Sequence, residues 1–345
     1  MEQKNFDPDG VGVDNGTYFG LPFAPETAEL VLISAPWDVT VSYGAGAAYA
    51  PDAIIEASTQ LDFHDPLAPG VWRRGIATAD VDYSLLESSQ RLRADAARVI
   101  DHLEGGGCLE DDYVVRKVRR VNEGCMSMNA NVGAQASRWL DAGKTVGLVG
   151  GDHSTPYGLV QALGERGEGF GILHIDAHCD LRRAYEGFEY SHASIMYNVL
   201  RDVPQAERIV EVGVRDYCDA EAELARSSER IRMFDDTQLS AAAFEGETWG
   251  ATCRHIVAEL PERVYVSFDI DGLSVEYCPH TGTPVAGGLT FNQAVYLLHE
   301  TVRSGRRIIG FDVVEVVPRP GSSIDASTGA RILYKLCGLT LKSEL

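Results

Sequence analysis

Basic residues are scarce in this chain of 345 residues: 30 Lys and Arg stand against 51 Asp and Glu, a formal net charge of −21. Gripping nucleic-acid phosphates needs a clustered basic footprint, so DNA and RNA are excluded as partners. The acidic surface favours solubility and attracts cations. No apolar run approaches the roughly 18 residues of a membrane-spanning helix, so no membrane association is expected. Cysteine is sparse and scattered, seven residues with no C-x-x-C pair, which excludes a disulfide framework and a zinc–thiolate site. The amino terminus, Met1 to Pro8, is polar and lacks the apolar core of a secretory leader. A cytoplasmic protein is expected. Linkers rich in Pro, Gly and Ser are also missing; Gly105-Gly106-Gly107 and Glu110-Asp111-Asp112 mark a loop only. We expect one domain over 1–345, with residues 1–25 as an extended arm.

What the chain does have is a succession of short β-branched apolar runs separated by helical patterns. Strands are predicted at Leu30–Ser34, Gly75–Ala79, Thr145–Val149, Gly171–Ile175, Arg208–Val214, Ile231–Phe234, Arg263–Phe268 and Arg307–Val313. Helices are predicted at Ser88–Leu103, Val121–Leu140, Thr155–Leu163, Ala193–Leu200, Thr248–Glu259, Thr290–Arg303 and Ser327–Leu336. Such alternation points to a mainly parallel sheet covered on both faces. The irregular spacing favours an open sheet over a closed barrel. Either way, functional residues belong at the carboxyl ends of the strands.

Three segments put metal-ligating side chains there. They are Gly150-Gly151-Asp152-His153-Ser154, Asp176-Ala177-His178-Cys179-Asp180 and Ser267-Phe268-Asp269-Ile270-Asp271-Gly272. Asp176, His178 and Asp180 sit at i, i+2 and i+4, and Asp269 and Asp271 repeat that step. On an extended chain such residues share a face. Cys179 then points the opposite way, as a small core residue. An isolated aspartate in such a place caps a helix or solvates a loop. Carboxylates crowded at the mouth of a buried sheet, without cations, would cost several kcal/mol per unpaired ion. His153, Asp176, His178, Asp180, Asp269 and Asp271 suffice for two divalent cations sharing ligands, which implies hydrolysis by metal-activated water.

These segments resemble the signatures of the ureohydrolases: arginase, agmatinase, guanidinobutyrase, guanidinase and formimidoylglutamase. The likeness runs from Trp37 to about Leu339. It is most specific at Asp176–Asp180 and from Ser267 through Thr281-Gly282-Thr283-Pro284 to Gly287-Gly288-Leu289-Thr290. The resemblance implies a three-layer α/β/α sandwich with a mainly parallel sheet of about eight strands, arginase-like. It also implies homotrimers or homohexamers and two manganese ions per chain, with nickel compatible with the same donors. By position, His153, Asp176, Asp180 and Asp269 would hold one metal, and Asp176, His178, Asp269 and Asp271 the other. Asp180 would also orient the attacking water. Glu315, just past the last strand, matches the carboxylate that grips a guanidinium; the bland alternative is a surface acid. His192 matches the histidine that protonates the leaving amine; the alternative is a cap for the helix near Ala193. His174 reads as a core or supporting histidine. His280 either lines the pocket mouth as a substrate-binding residue or is structural.

The substrate's tail is less legible. Arg182 stands where arginases carry Asn, and it suits a carboxylate, as in guanidinobutyrate, unless it pairs with a neighbour such as Glu186 or Glu189. Those acids and Tyr190 would instead suit the second cation of agmatine, while Tyr185, Phe188 and Tyr190 are bulky enough to close the site around free guanidine. The Ser42–Gly46 loop departs from the best-studied agmatinases. The expectation is a small guanidino substrate, agmatine first, with guanidine and guanidinobutyrate as alternatives. Formimidoylglutamase, arginase and a single-zinc deacetylase-like amidohydrolase fit less of the sequence, and a non-catalytic relative would have lost ligands.

Overall fold

The computed structural model of the chain describes residues 6–344. Its strands are β1 (Leu30–Ala35), β2 (Ile76–Thr78), β3 (Thr145–Gly150), β4 (Phe170–Ile175), β5 (Ala206–Val212), β6 (Ile231–Phe234), β7 (Arg263–Asp269) and β8 (Arg307–Val314). All pair in parallel, in the order β2-β1-β3-β8-β7-β4-β5-β6. The sheet is open, as the irregular spacing predicted. Its helices are α1 (Ala50–Ser58), α2 (Tyr83–Glu104), α3 (Asp112–Asp141), α4 (Tyr157–Gly164), α5 (Ile195–Asp202), α6 (Asp219–Ser227), α7 (Asp236–Phe244), α8 (Trp249–Ala258), α9 (Phe291–Arg303) and α10 (Ile324–Ser343).

Strand side chains alternate between two buried clusters. Leu30, Leu32, Val264 and Val266 belong to the layer covered by α1, α8, α9 and α10; Val31, Ile33, Ile172 and Ile209 belong to the layer covered by α2 to α5. Both faces are therefore apolar, which is why the strands read as continuous hydrophobic runs. Polar caps fix several helix starts: Asp82 accepts from Ser84 before α2, and Thr290 and Gln293 form a capping box on α9.

Of the expected arm at 1–25, residues 1–5 lie outside the described residues; Tyr18, Phe19 and Leu21 are buried. Among the described residues, no helix is long and apolar enough to cross a membrane.

The strand order matters for function. β3, β8, β7 and β4 are consecutive neighbours at the centre of the sheet. The three segments singled out in the sequence lie at the ends of β3, β4 and β7, and Glu315 follows β8, so residues far apart in the chain meet at one edge.

Candidate functional site

At that edge lies a cavity of about 160 Å³. His153, His178, Asp180, Asp269, Asp271 and Glu315 line its floor, and His192 and Arg182 its wall. The local backbone differs from the extended chain expected at 176–180. β4 ends at Ile175, and Asp176 Oδ1 accepts the His178 N–H at 2.6 Å. Likewise Asp269 Oδ1 accepts the Asp271 N–H at 2.8 Å, starting a 3-10 turn at Ile270–Gly272. Side-chain-to-backbone turns, not the pleat, converge the ligand-type residues. Asp180 (φ 52°) and Glu315 (φ 60°) adopt left-handed conformations that cost a non-glycine residue roughly 1 kcal/mol or more. Gly151 has to be glycine: an added Cβ would sit 1.7 Å from the Trp37 carbonyl oxygen. That contact brings β3's end against the loop after β1, whose Trp37 oxygen also accepts the Asp152 N–H at 2.8 Å.

The two histidines present the same nitrogen to the carboxylates. His153 Nδ1 lies 2.9 Å from Asp176, 3.0 Å from Asp180 and 3.2 Å from Asp269. It is aligned for a hydrogen bond with none of them. His178 Nδ1 lies 3.2 Å from Asp271 and 3.4 Å from Asp176. Two sets of donors close enough to share an ion result: His153, His174, Asp176 and Asp180; and Asp176, His178 and Asp271. Asp176 is common to both.

Supporting contacts set the His153 tautomer. Ser267 Oγ donates to Asp312 Oδ2 at 2.9 Å, so its only proton is used and it accepts from His153 Nε2–H, also at 2.9 Å. In the neutral ring that leaves Nδ1 as a lone pair aimed at three carboxylate oxygens. Acceptors facing acceptors in a buried place call for a cation between them. The site therefore fits hard divalent metals with oxygen and imidazole ligands. Beneath it, strand register sets Glu211, His174, Ser267 and Asp312 side by side on β5, β4, β7 and β8. All four are fully buried. His174 Nε2 reaches Asp176 at 2.8 Å, a supporting position as expected.

Electrostatics tell the same story. Burial, with the negative charges of Asp271 and Asp176, pushes Asp269 well above the usual carboxylate range. Burial and Asp176 push Asp180 up to about 6. Burial opposes charge on His178, yet Asp271 and Asp176 carry it up to about 12. Burial and the nearby Asp152 raise Glu315 far above an ordinary glutamate. The cavity is short of positive charge.

Glu315 is buried, with Oε1 accepting the His153 N–H at 2.8 Å; it is not a surface acid. His192 is not a helix cap: Ser191 Oγ accepts the Ala193 N–H, and α5 starts only at Ile195. His280 is not brought to the cavity. Its N–H and Nδ1 are held by the two oxygens of Asp325, at 2.9 and 2.7 Å, on the first turn of α10. Arg182 lines the wall but pairs with neither Glu186 nor Glu189; its Nε lies 3.6 Å from Glu221 and its guanidinium stacks over Tyr185 at 4.6 Å. Asp216, Tyr217 and Glu221, after β5, also line the cavity and were missed. Their signal was available: they follow the carboxyl end of a strand that neighbours β4.

A family model described as the arginase family matches residues 28–338. An N(1)-aminopropylagmatine ureohydrolase of Thermus thermophilus is 31% identical over 314 residues, 91% of both chains. An agmatinase of Neisseria meningitidis is 30% identical over 315 residues, 90% of this chain and 86% of that one. Among solved structures, the proclavaminate amidino hydrolase of Streptomyces clavuligerus superposes with a TM-score of 0.71 at 23% identity, over 95% and 97% of the two chains, a likeness of fold. The chain belongs to the arginase family and is a ureohydrolase, acting on C–N bonds in amidines.

Proposed function

We propose that this arginase-family hydrolase removes urea from agmatine, leaving putrescine, with two manganese ions held by His153, Asp176, Asp180 and Asp269 and by Asp176, His178, Asp269 and Asp271. The observation that carries the reading is the pair of Nδ1 atoms facing four buried aspartates at a cavity that Glu315 also lines. Divalent cations bound there would lower the pKa of water enough to supply a nucleophile at neutral pH. Glu315 then holds the planar guanidinium by charge-assisted bonds, its backbone pinned because its N–H is donated to the Gly151 carbonyl at 2.8 Å. Asp180 orients the attacking water. His192, which burial and neighbouring positive charge lower to about 3, rests as the neutral ring, and relays to the departing amine a proton it takes up during the reaction.

The outer wall supports an amine tail. Asp216 is an exposed acid at the mouth, and Arg182 is already matched by Glu221. An Arg182 so engaged is a weaker receptor for the carboxylate of guanidinobutyrate. The named relatives, an agmatinase and an aminopropylagmatine ureohydrolase, point the same way. The test is urea release from agmatine, N(1)-aminopropylagmatine, guanidine, 4-guanidinobutyrate, arginine and formimidoylglutamate, with manganese and with nickel. Agmatine should give the highest kcat/KM, with manganese. A higher value for guanidinobutyrate or guanidine would overturn the substrate, and no urea from any of them would overturn the reaction. Light scattering tests the proposed trimer or hexamer.

A further inference from the structure

The loop after β1 contributes a side chain that the reaction outlined above leaves unused. Thr40 is fully buried. Its Oγ accepts the backbone N–H of His192 at 3.1 Å and lies 3.5 Å from His192 Nδ1. On its other side it lies 3.5 Å from Asp152 Oδ2. Asp152 Oδ1 accepts the N–H and the hydroxyl of Ser154, at 3.0 and 2.5 Å, and its other oxygen, Oδ2, faces Thr40. A hydroxyl has one proton to give. Thr40 Oγ is placed to donate that proton to Asp152 Oδ2, which leaves it to meet the imidazole as an acceptor. The other neighbour of Nδ1, Ser191 Oγ at 3.3 Å, can accept from the ring or donate to it and does not decide between the tautomers. The Thr40 contact therefore favours Nδ1–H on His192 and leaves Nε2 as the nitrogen without a proton in the neutral ring.

We propose that Thr40 is a positioning residue: clamped by Asp152, it fixes the backbone and the tautomer of His192, so that Nε2 is the atom that exchanges protons in the cavity. The contacts at 3.5 Å are loose, as such bonds are before substrate closes a site. The chain of contacts also ties the segment after β3 to the turn at His192–Ser194 through the loop after β1. Three segments distant in sequence thus set one ring. The inference rests on the proton-transfer reading of His192, and the test separates the two.

The experiment uses the metal-loaded enzyme and the substrate that releases urea fastest. Thr40→Val keeps the shape and removes the hydroxyl. It should lower kcat roughly 10- to 100-fold, part of what a positioned acid contributes, and leave KM within about twofold. Thr40→Ser should recover kcat to within about threefold of the parent. In a His192→Asn background, Thr40→Val should cost nothing further, because residues acting through one ring are not additive. Nitrogen-15 spectra of histidine-labelled protein, with His192 assigned by its absence in His192→Asn, should show Nδ1–H in the parent and loss of that preference in Thr40→Val. An Nε2–H tautomer in the parent, or an equal cost of Thr40→Val with and without His192, overturns the inference. A His192→Asn enzyme with unchanged kcat overturns the role of His192 instead, and the spectra still decide the tautomer. If Thr40→Val does not fold, the parent spectrum and Thr40→Ser decide.

Discussion

Replacing Ser267 by Ala removes one oxygen from beneath the cavity and should weaken one metal of two. The hydroxyl accepts from His153 Nε2–H and donates to Asp312, each at 2.9 Å. Without it, a donor on a residue only 1% exposed has no partner, a penalty of about 1–3 kcal/mol. The ring is then free to put its proton on Nδ1 and turn it away from the carboxylates. Losing such a support typically costs 10- to 100-fold in metal affinity, or about 1.4–2.7 kcal/mol, which agrees with the first figure. Asp312 keeps two donors, Tyr265 OH at 2.7 Å and the Phe268 N–H at 3.1 Å, so the fold should survive. His178, in the other ligand set, makes no contact with Ser267 and should be spared. Calorimetric titration of manganese into chelator-stripped protein should therefore show two binding events, of which Ser267→Ala weakens one by 10- to 100-fold. Equal weakening of both events, or manganese affinities within about twofold of the parent, would refute the tautomer argument.

Three further outcomes are expected. Glu315→Gln removes the anion opposite the guanidinium and should lower kcat/KM roughly 100-fold, at about 1.5–3 kcal/mol per charge-assisted bond; a drop under threefold in the urea assay would contradict its role. Gly151→Ala should cost about 3 kcal/mol or more, because its methyl overlaps the Trp37 carbonyl rather than a movable side chain; chemical denaturation reads this directly. Burial, reinforced by Glu104, pushes Glu186 up to about 7. A carboxyl whose folded pKa is raised stabilises the fold below the unfolded value and loses that contribution as pH rises toward 7. Glu186→Gln should therefore gain melting temperature over the parent at pH 8, with the advantage disappearing below pH 4.5; an unchanged difference across that range would be the contrary result.

The strands were legible because both faces of the sheet are buried, so each appears as a β-branched run with no polar alternation to confuse it. β5 is the poorest match, expected at Arg208–Val214 and found at Ala206–Val212. Its pairing with β4 shifts between Phe170 and Gly171, and apolar Val214 continues beyond its end. The helices fared worse where they bury little. α7 buries Leu239 alone, and α6 buries only Glu221 and Ala225, so neither carries a 3.6-residue apolar period. α1 hides behind Pro51 at its first turn. The first turns of α3 bury only Val114 among charged residues, so its start was read nine residues late. The ligand-type residues were legible from type and spacing, although turns rather than pleating bring them together. Ser267, Asp312 and Thr40 were not. A hydroxyl or a strand carboxylate looks ordinary until register places it beside a ring.

The row of Glu211, His174, Ser267 and Asp312 has a consequence for how such a protein can diversify. It is written into the register of four adjacent strands, so altering it disturbs the sheet itself. Arg182, Tyr185, Asp216 and Tyr217, which line the cavity, lie instead on the connections leaving β4 and β5. The supporting row and this part of the cavity lining thus occupy different stretches of the chain, although Asp180 and His192 flank Arg182 and Tyr185 on the connection after β4. Exchanging residues 182–190 and 215–221 for those of a relative would then move the preference while leaving the chemistry in place.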